Sequence, residues 1–349
     1  ILMTQQSWTW LLCVALLATW SCDKPEQPSG DTSTTAVATE ELSEVDRAAE
    51  ETWASWDETE DPEVKVGLAR DFLARYPDSD HTGDFLGSAV YHYTESLGRS
   101  DEAYELVEGT LTKVEDEDTR LETQMQLAVL HSKTGRLEEL SALADEMADE
   151  HDFQFTDHLE LMELATEAGA WTLAIEQAEA GLAFATPEAF KAQWPDYDDE
   201  YAARAGRRRT AYCKAYQGWA EANLGQYDAA LASFTTGVKD TSFSLLGVDE
   251  TPLHLYWGQT LTLMDEPEDA MDRLDVEALY GSKEAKQAYS EAWVAAHGTE
   301  EGLEDRLWAL RQEHAKPLPQ FALPSYEGET FESAEHIGDV LLIAAWNPG

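Results

Sequence analysis

Cysteine is the residue in this chain with the widest chemistry open to it, and it occurs only at Cys13, Cys22 and Cys213. Dithiol exchange needs two thiols close together, and there is no CxxC; no cysteine–histidine pair stands at zinc-ligand spacing either. His151 and His158 have acids nearby but no metal-binding spacing. Asp196, Asp198, Asp199 and Glu200 crowd one short stretch. Such oxygen ligands can hold Ca²⁺, but the order is not that of an EF-hand loop and its central glycine is missing, so a solvated loop is the simpler reading. Arg204, Arg207, Arg208 and Arg209 follow; on a helix Arg204 and Arg208 share a face that could receive an anion or, more simply, offset the acids before it. No glycine-rich phosphate loop, HExxH or GxSxG is present. The sequence thus offers no catalytic set, no metal site and no cofactor motif, and points to binding.

Cys22 is the cysteine with an informative context. Leu11 to Trp20 is an apolar run too short to span a bilayer and of the length of a signal-peptide core, although no Lys or Arg precedes it. Thr19-Trp20-Ser21-Cys22 resembles a bacterial lipobox, in which the cysteine is acylated and becomes the mature N-terminus; Ser21 and Cys22 fit that pattern, Thr19 and Trp20 fit it less well. The stretch after it, rich in Pro, Ser and Thr, cannot bury enough apolar surface to fold and suits a tether. The alternative is a secreted protein with Cys22 free or paired to Cys213. Residues 1–21 are therefore expected to be a signal peptide and 22–40 a lipid-anchored disordered linker. The location implied is extracytoplasmic, periplasmic or cell-surface.

The elements that would carry a binding surface come next. Asp61 can cap a helix with Pro62 in its first turn, running through Val64, Leu68, Phe72 and Leu73 to Tyr76. Gly98, Gly135, Gly169, Gly225, Asp265 and Gly298 each stand a few residues before small or apolar residues of a second helix, at steps of 37, 34, 56, 40 and 33 residues. The long step leaves room for an insertion around 186–200. In Tyr212 to Val238, Gly218 takes the small position of a helix crossing, Gly225 the turn, and Ala230 and Phe234 the small and aromatic positions of the second helix. This segment resembles a tetratricopeptide unit, whose repeat is about 34 residues. The resemblance implies an all-α superhelix over 41–314 with a groove for a protein or peptide. Trp53, Trp56, Trp171, Trp219, Trp257, Trp293 and Trp308 are expected in its core.

From Lys316 the texture becomes extended. Pro319, Phe321 and Leu323 form P-x-F-x-L, followed by Gly328, Phe331 and Gly338, the apolar run Val340 to Ala345, and Trp346-Asn347-Pro348. This resembles the opening of the TlpA/redoxin and peroxiredoxin group of thioredoxin-like domains. The resemblance implies a truncated N-terminal piece of an α/β domain over 315–349, ending just before a W-x-x-x-C-x-x-C loop. Pro319, Phe321, Leu323, Trp346 and Pro348 would be family positions ahead of the missing cysteines.

The formal net charge of −47 over 349 residues makes nucleic acid and anionic lipid headgroups poor partners. It could draw basic partners or loosely held cations, but serves solubility in the simplest reading, with stability then dependent on salt. The resulting expectation is a membrane-anchored thiol–disulfide oxidoreductase with a helical-repeat arm. The alternative is a non-enzymatic scaffold or assembly lipoprotein of the bacterial cell envelope. No cofactor is expected for either.

Overall fold

The computed structural model describes residues 43–238, 251–314, 322–324 and 330–332. The expected signal peptide and linker, with Cys13 and Cys22, lie outside these residues, as do Pro319, Phe321, Trp346, Pro348 and the run Val340 to Ala345. The chain divides into two compact units, residues 1–241 and 242–349.

In the first unit helices come in pairs. They are α1 (Glu44–Asp57) and α2 (Pro62–Arg75), α3 (Thr82–Tyr91) and α4 (Ser100–Leu111), α5 (Glu117–Thr134) and α6 (Leu137–Glu150), and α7 (Phe155–Ala168) and α8 (Trp171–Gly181). A short α9 (Pro187–Gln193) precedes the last pair, α10 (Asp199–Asn223) and α11 (Tyr227–Gly237). The first helices form one layer, since α3 packs on α5, α5 on α7 and α7 on α10, while α4 packs on α5 and α8 on α10 from behind. One core runs through the pairs, from Ala49 and Trp56 through Phe85, Leu130 and Leu161 to Ala220.

Local chemistry sets the helix ends. Asp61 accepts the Glu63 N–H with Pro62 in the first turn, as its sequence predicts, and Asp116 caps α5 by accepting from Thr119. In α2, however, Val66, Ala69, Phe72 and Leu73 face the core and Val64 is exposed. At the pair turns Gly98, Gly135, Gly169, Gly225 and Gly298 take φ between 66° and 78°, and Asp265 takes 63°. The left-handed conformation ends a helix and reverses the chain, and aspartate is among the few L-residues that adopt it readily. A π-helical turn at His92–Ser96 extends α3 before Gly98.

Close crossings need a missing side chain. A Cβ on Gly218 of α10 would lie 2.6 Å from the Phe234 ring of α11. Ala230 and Phe234 are fully buried, as expected for that crossing.

The second unit contains α12 (Leu253–Leu263), α13 (Pro267–Tyr280), α14 (Lys283–His297) and α15 (Leu303–His314). Its core holds Leu274, Ala278, Leu279, Ala288, Tyr289 and Leu310. Here Gly258 lies under Leu274, with Ala270 buried beside the crossing, at the same offsets of 12 and 16 residues that separate Gly218 from Ala230 and Phe234. Trp56 and Trp257 are buried as expected, but Trp308 is 60% exposed.

Among the described residues the thioredoxin-like piece expected over 315–349 is not found. Among the described residues the extended structure consists of β1 (Ala322–Pro324) and β2 (Thr330–Glu332), an antiparallel pair with Leu323 opposite Phe331. Two strands of three residues cannot build the layered sheet that defines such a domain. Of the residues that prompted the resemblance, Leu323 and Phe331 fall within the described residues, and a strand pair this short is enough to place them. The described residues otherwise form an all-α helical bundle, which corrects the α+α/β expectation.

Candidate functional site

Thiol chemistry has no footing among the described residues. Cys213 is their one cysteine, fully buried in α10 with its Sγ 3.1 Å from where a Gly181 Cβ would stand. Burial pushes its thiol up to about 12, so it carries almost no thiolate at neutral pH. The described residues hold no second cysteine to pair with it and no group of three metal-ligating side chains. The oxidoreductase expectation is corrected accordingly.

The acidic stretch and the arginine patch also resolve differently from a site. Asp198 caps α10 by accepting the Tyr201 N–H, and Asp199 pairs with Lys191 of α9. Asp198 and Asp199 are thus spent on separate tasks, and the described residues of this stretch form no metal-ligating group. Arg209 is buried: it donates to the Phe184 carbonyl (3.0 Å) and Gln193 Oε1 (3.2 Å), and lies over the rings of Phe155 and Phe190. It fastens α9 to α7 and α10. The charge pattern hid this, because a run of arginines looks alike whichever member turns inward. His158, buried on α7, meets Gln177 Oε1 at 2.8 Å, and His151 meets Gln124 Oε1 at 2.7 Å; both are structural.

The polar groups that do converge lie across the first-helix layer. Helical spacing places Glu160, Glu163 and Glu167 on one face of α7. Glu160 and Glu163 are half-buried and Glu167 is exposed. Protein crowds all three, and this desolvation raises each carboxyl above its ordinary range, with Glu160 reaching about 7. Glu163, Asp157 and, from α5, Glu122 add like-charge repulsion to Glu160.

Neighbouring helices supply few offsetting groups. The buried Tyr216 of α10 donates from its hydroxyl to Glu163 Oε1 at 3.1 Å. Lys133 of α5 draws the Glu167 carboxyl back down, but its Nζ is held by Glu95 at 2.6 Å. Glu122 accepts the backbone N–H of Gly83 in the first turn of α3, a favourable place for an anion. Burial and the nearby Asp84, Asp118 and Asp80 nevertheless raise its carboxyl. Gln126, one turn on, overlies Gly87 of α3.

The result is an acidic face over α3, α5 and α7, met by the Tyr216 hydroxyl of α10. Its chemistry is that of a recognition surface, with carboxylates confined by neighbours and open on one side. Among the described residues no helix is long and apolar enough to cross a membrane. Of the redoxin-like positions Pro319, Phe321, Leu323, Trp346 and Pro348, Leu323 falls within the described residues, in β1 of the second unit.

No family model matches the chain, and no curated protein matches it. The tetratricopeptide and redoxin patterns are therefore local likenesses, and neither family is assigned.

Proposed function

We propose that the protein is a non-enzymatic helical scaffold of the bacterial cell envelope, held at a membrane by a lipid on Cys22, that docks a basic segment of a partner protein along its first-helix layer. The observation carrying this reading is the row Glu160, Glu163 and Glu167, with Glu122 beside it. A fold gains nothing by confining four carboxylates where their ionisation is opposed, so a cation from outside is the natural complement. Paired helices presenting one layer suit a protein segment, which can run across successive helices and meet a side chain from each. The membrane location is supported by the sequence at 11–22, whose apolar run and Ser21-Cys22 fit a lipoprotein signal.

The test is site-specific photo-crosslinking in the native cell. A benzoylphenylalanine replacing exposed Glu167 of α7 is expected to trap a protein partner in the membrane fraction. The same probe replacing exposed Glu146 of α6, in the second-helix layer, is expected to trap none. Crosslinks from position 146 and none from 167 would reject the layer assignment. Fatty-acid labelling that persists in Cys22→Ala would reject the anchor.

A further inference from the structure

The insertion between α8 and α10 has its own small core of Phe190, Ala202 and Ala205, with Tyr201 packed against it. The Tyr197 ring stacks on Tyr201 with centroids 4.5 Å apart, and Phe190 meets both tyrosines at 5.7 Å. The aromatic group does not end at this core. Trp194 is 50% exposed and Tyr197 36% exposed at the turn between α9 and α10. Large aromatics placed outward by a built core mark contact surfaces, and tryptophan and tyrosine are the residues that most often dominate such contacts.

The surroundings choose the partner's chemistry. Asp196 stands between the two exposed aromatics in sequence and Glu200 three residues beyond Tyr197; both are exposed and carry no ion pair among the described residues. The one lysine of α9, Lys191, is already held by Asp199. Within the same insertion aromatic faces already take guanidinium groups: Arg204 lies 4.9 Å from the Tyr201 centroid and Arg209 lies 5.0 Å from that of Phe190. A guanidinium stacks on such rings and pairs with carboxylates through a planar fork, which an ammonium does less well.

We infer that the tip formed by Trp194, Tyr197, Asp196 and Glu200 is a second docking surface, and that it takes an arginine-bearing segment of a partner protein. The arginine seats on the indole and phenol rings while its fork meets a flanking carboxylate. The inference does not rest on the first-helix layer, and the two can fail separately.

The test uses a fluorescein-labelled peptide of nine residues alternating arginine and glycine, with a lysine–glycine peptide as counterpart. Binding is followed by polarisation at near-physiological salt. The protein carries Glu160→Gln, Glu163→Gln and Glu167→Gln, so that the layer does not compete. The arginine peptide is expected to bind at least about threefold tighter than the lysine peptide. Trp194→Ala is expected to weaken it by about tenfold and abolish the preference, Trp194→Phe to preserve the preference, and Asp196→Asn with Glu200→Gln to flatten the salt dependence. Circular dichroism on each variant checks that the helices persist, since the indole is half outside the fold. Absence of binding, equal affinity for both peptides, or affinity in Trp194→Ala within about twofold of the parent would overturn the inference by reducing the effect to net charge. Sedimentation showing a dimer that Trp194→Ala dissociates would also overturn it, because the tip would then bind a second copy of this chain.

Discussion

Glu160 shows how a single carboxyl ties the face to stability. Its folded value of about 7 lies above the ordinary 4.5, so the folded chain holds a proton that the unfolded chain has lost between those two values. Stability therefore falls as pH rises through that window, and the full cost stands above pH 7. Glu160→Gln removes the charge and is expected to raise unfolding free energy at pH 8 by about 1–3 kcal/mol once solvent on its open side is allowed for. Urea unfolding at pH 8 and pH 4.5 checks this, with little difference between the chains at the lower pH. Cys213 makes a second residue-scale test. Sealed and held near 12, it is expected to resist a colorimetric disulfide reagent until the chain unfolds globally. Modification of the native protein within seconds would mean that α10 opens locally. Neither property was legible in the sequence. Acids at i, i+3 and i+7 of a helix look the same on an open face as on a crowded one, and the burial that chiefly raises Glu160 is set by packing that the local pattern does not show.

The helix crossings were far more legible, because their determinants are close in sequence. A turn glycine, a small residue before it and an apolar pair after it fix a hairpin within some 20 residues, as Gly218, Gly225, Ala230 and Phe234 show. Even the aspartate standing at the fifth turn, Asp265, falls in the left-handed region that the common frame requires. The insertion was not legible as a structure, since its core depends on Arg209 turning inward between Phe155 and Phe190. The face of α2 was misjudged at Val64 because the apolar residues Val64 and Val66 are two apart, and a helix can bury only one of them. The tail misled because a strand-like pattern of apolar residues does not specify what sheet it joins. One substitution made at two helical positions separates these effects by sign. Gly218→Ala would push a Cβ into the Phe234 ring and is expected to cost about 1–3 kcal/mol. Gly67→Ala, inside α2 with nothing within 4 Å of the added carbon, is expected to stabilise by about 0.5–1 kcal/mol through helix propensity alone. Thermal unfolding of the two variants gives the comparison directly, and shifts of the same sign would contradict the packing described.

On the scale of the whole molecule, a net charge of −47 means that any basic probe is attracted from a distance. Raising salt is expected to stabilise the fold by screening this repulsion, most steeply below about 0.1 M; unfolding midpoints across a salt series measure it. Net charge alone would make every acidic surface equivalent, whereas the account assigns docking to the first-helix layer. Equal charge removal from the two layers separates these possibilities. One variant carries Glu160→Gln, Glu163→Gln and Glu167→Gln on α7; the other carries Glu138→Gln, Glu139→Gln and Glu146→Gln on the exposed side of α6. The measurement is the dissociation constant, at near-physiological salt, for the protein trapped by the probe at position 167. The account expects the α7 variant to bind about tenfold or more weakly and the α6 variant to stay within about twofold of the parent. Equal weakening in both, or a loss confined to α6, would contradict it.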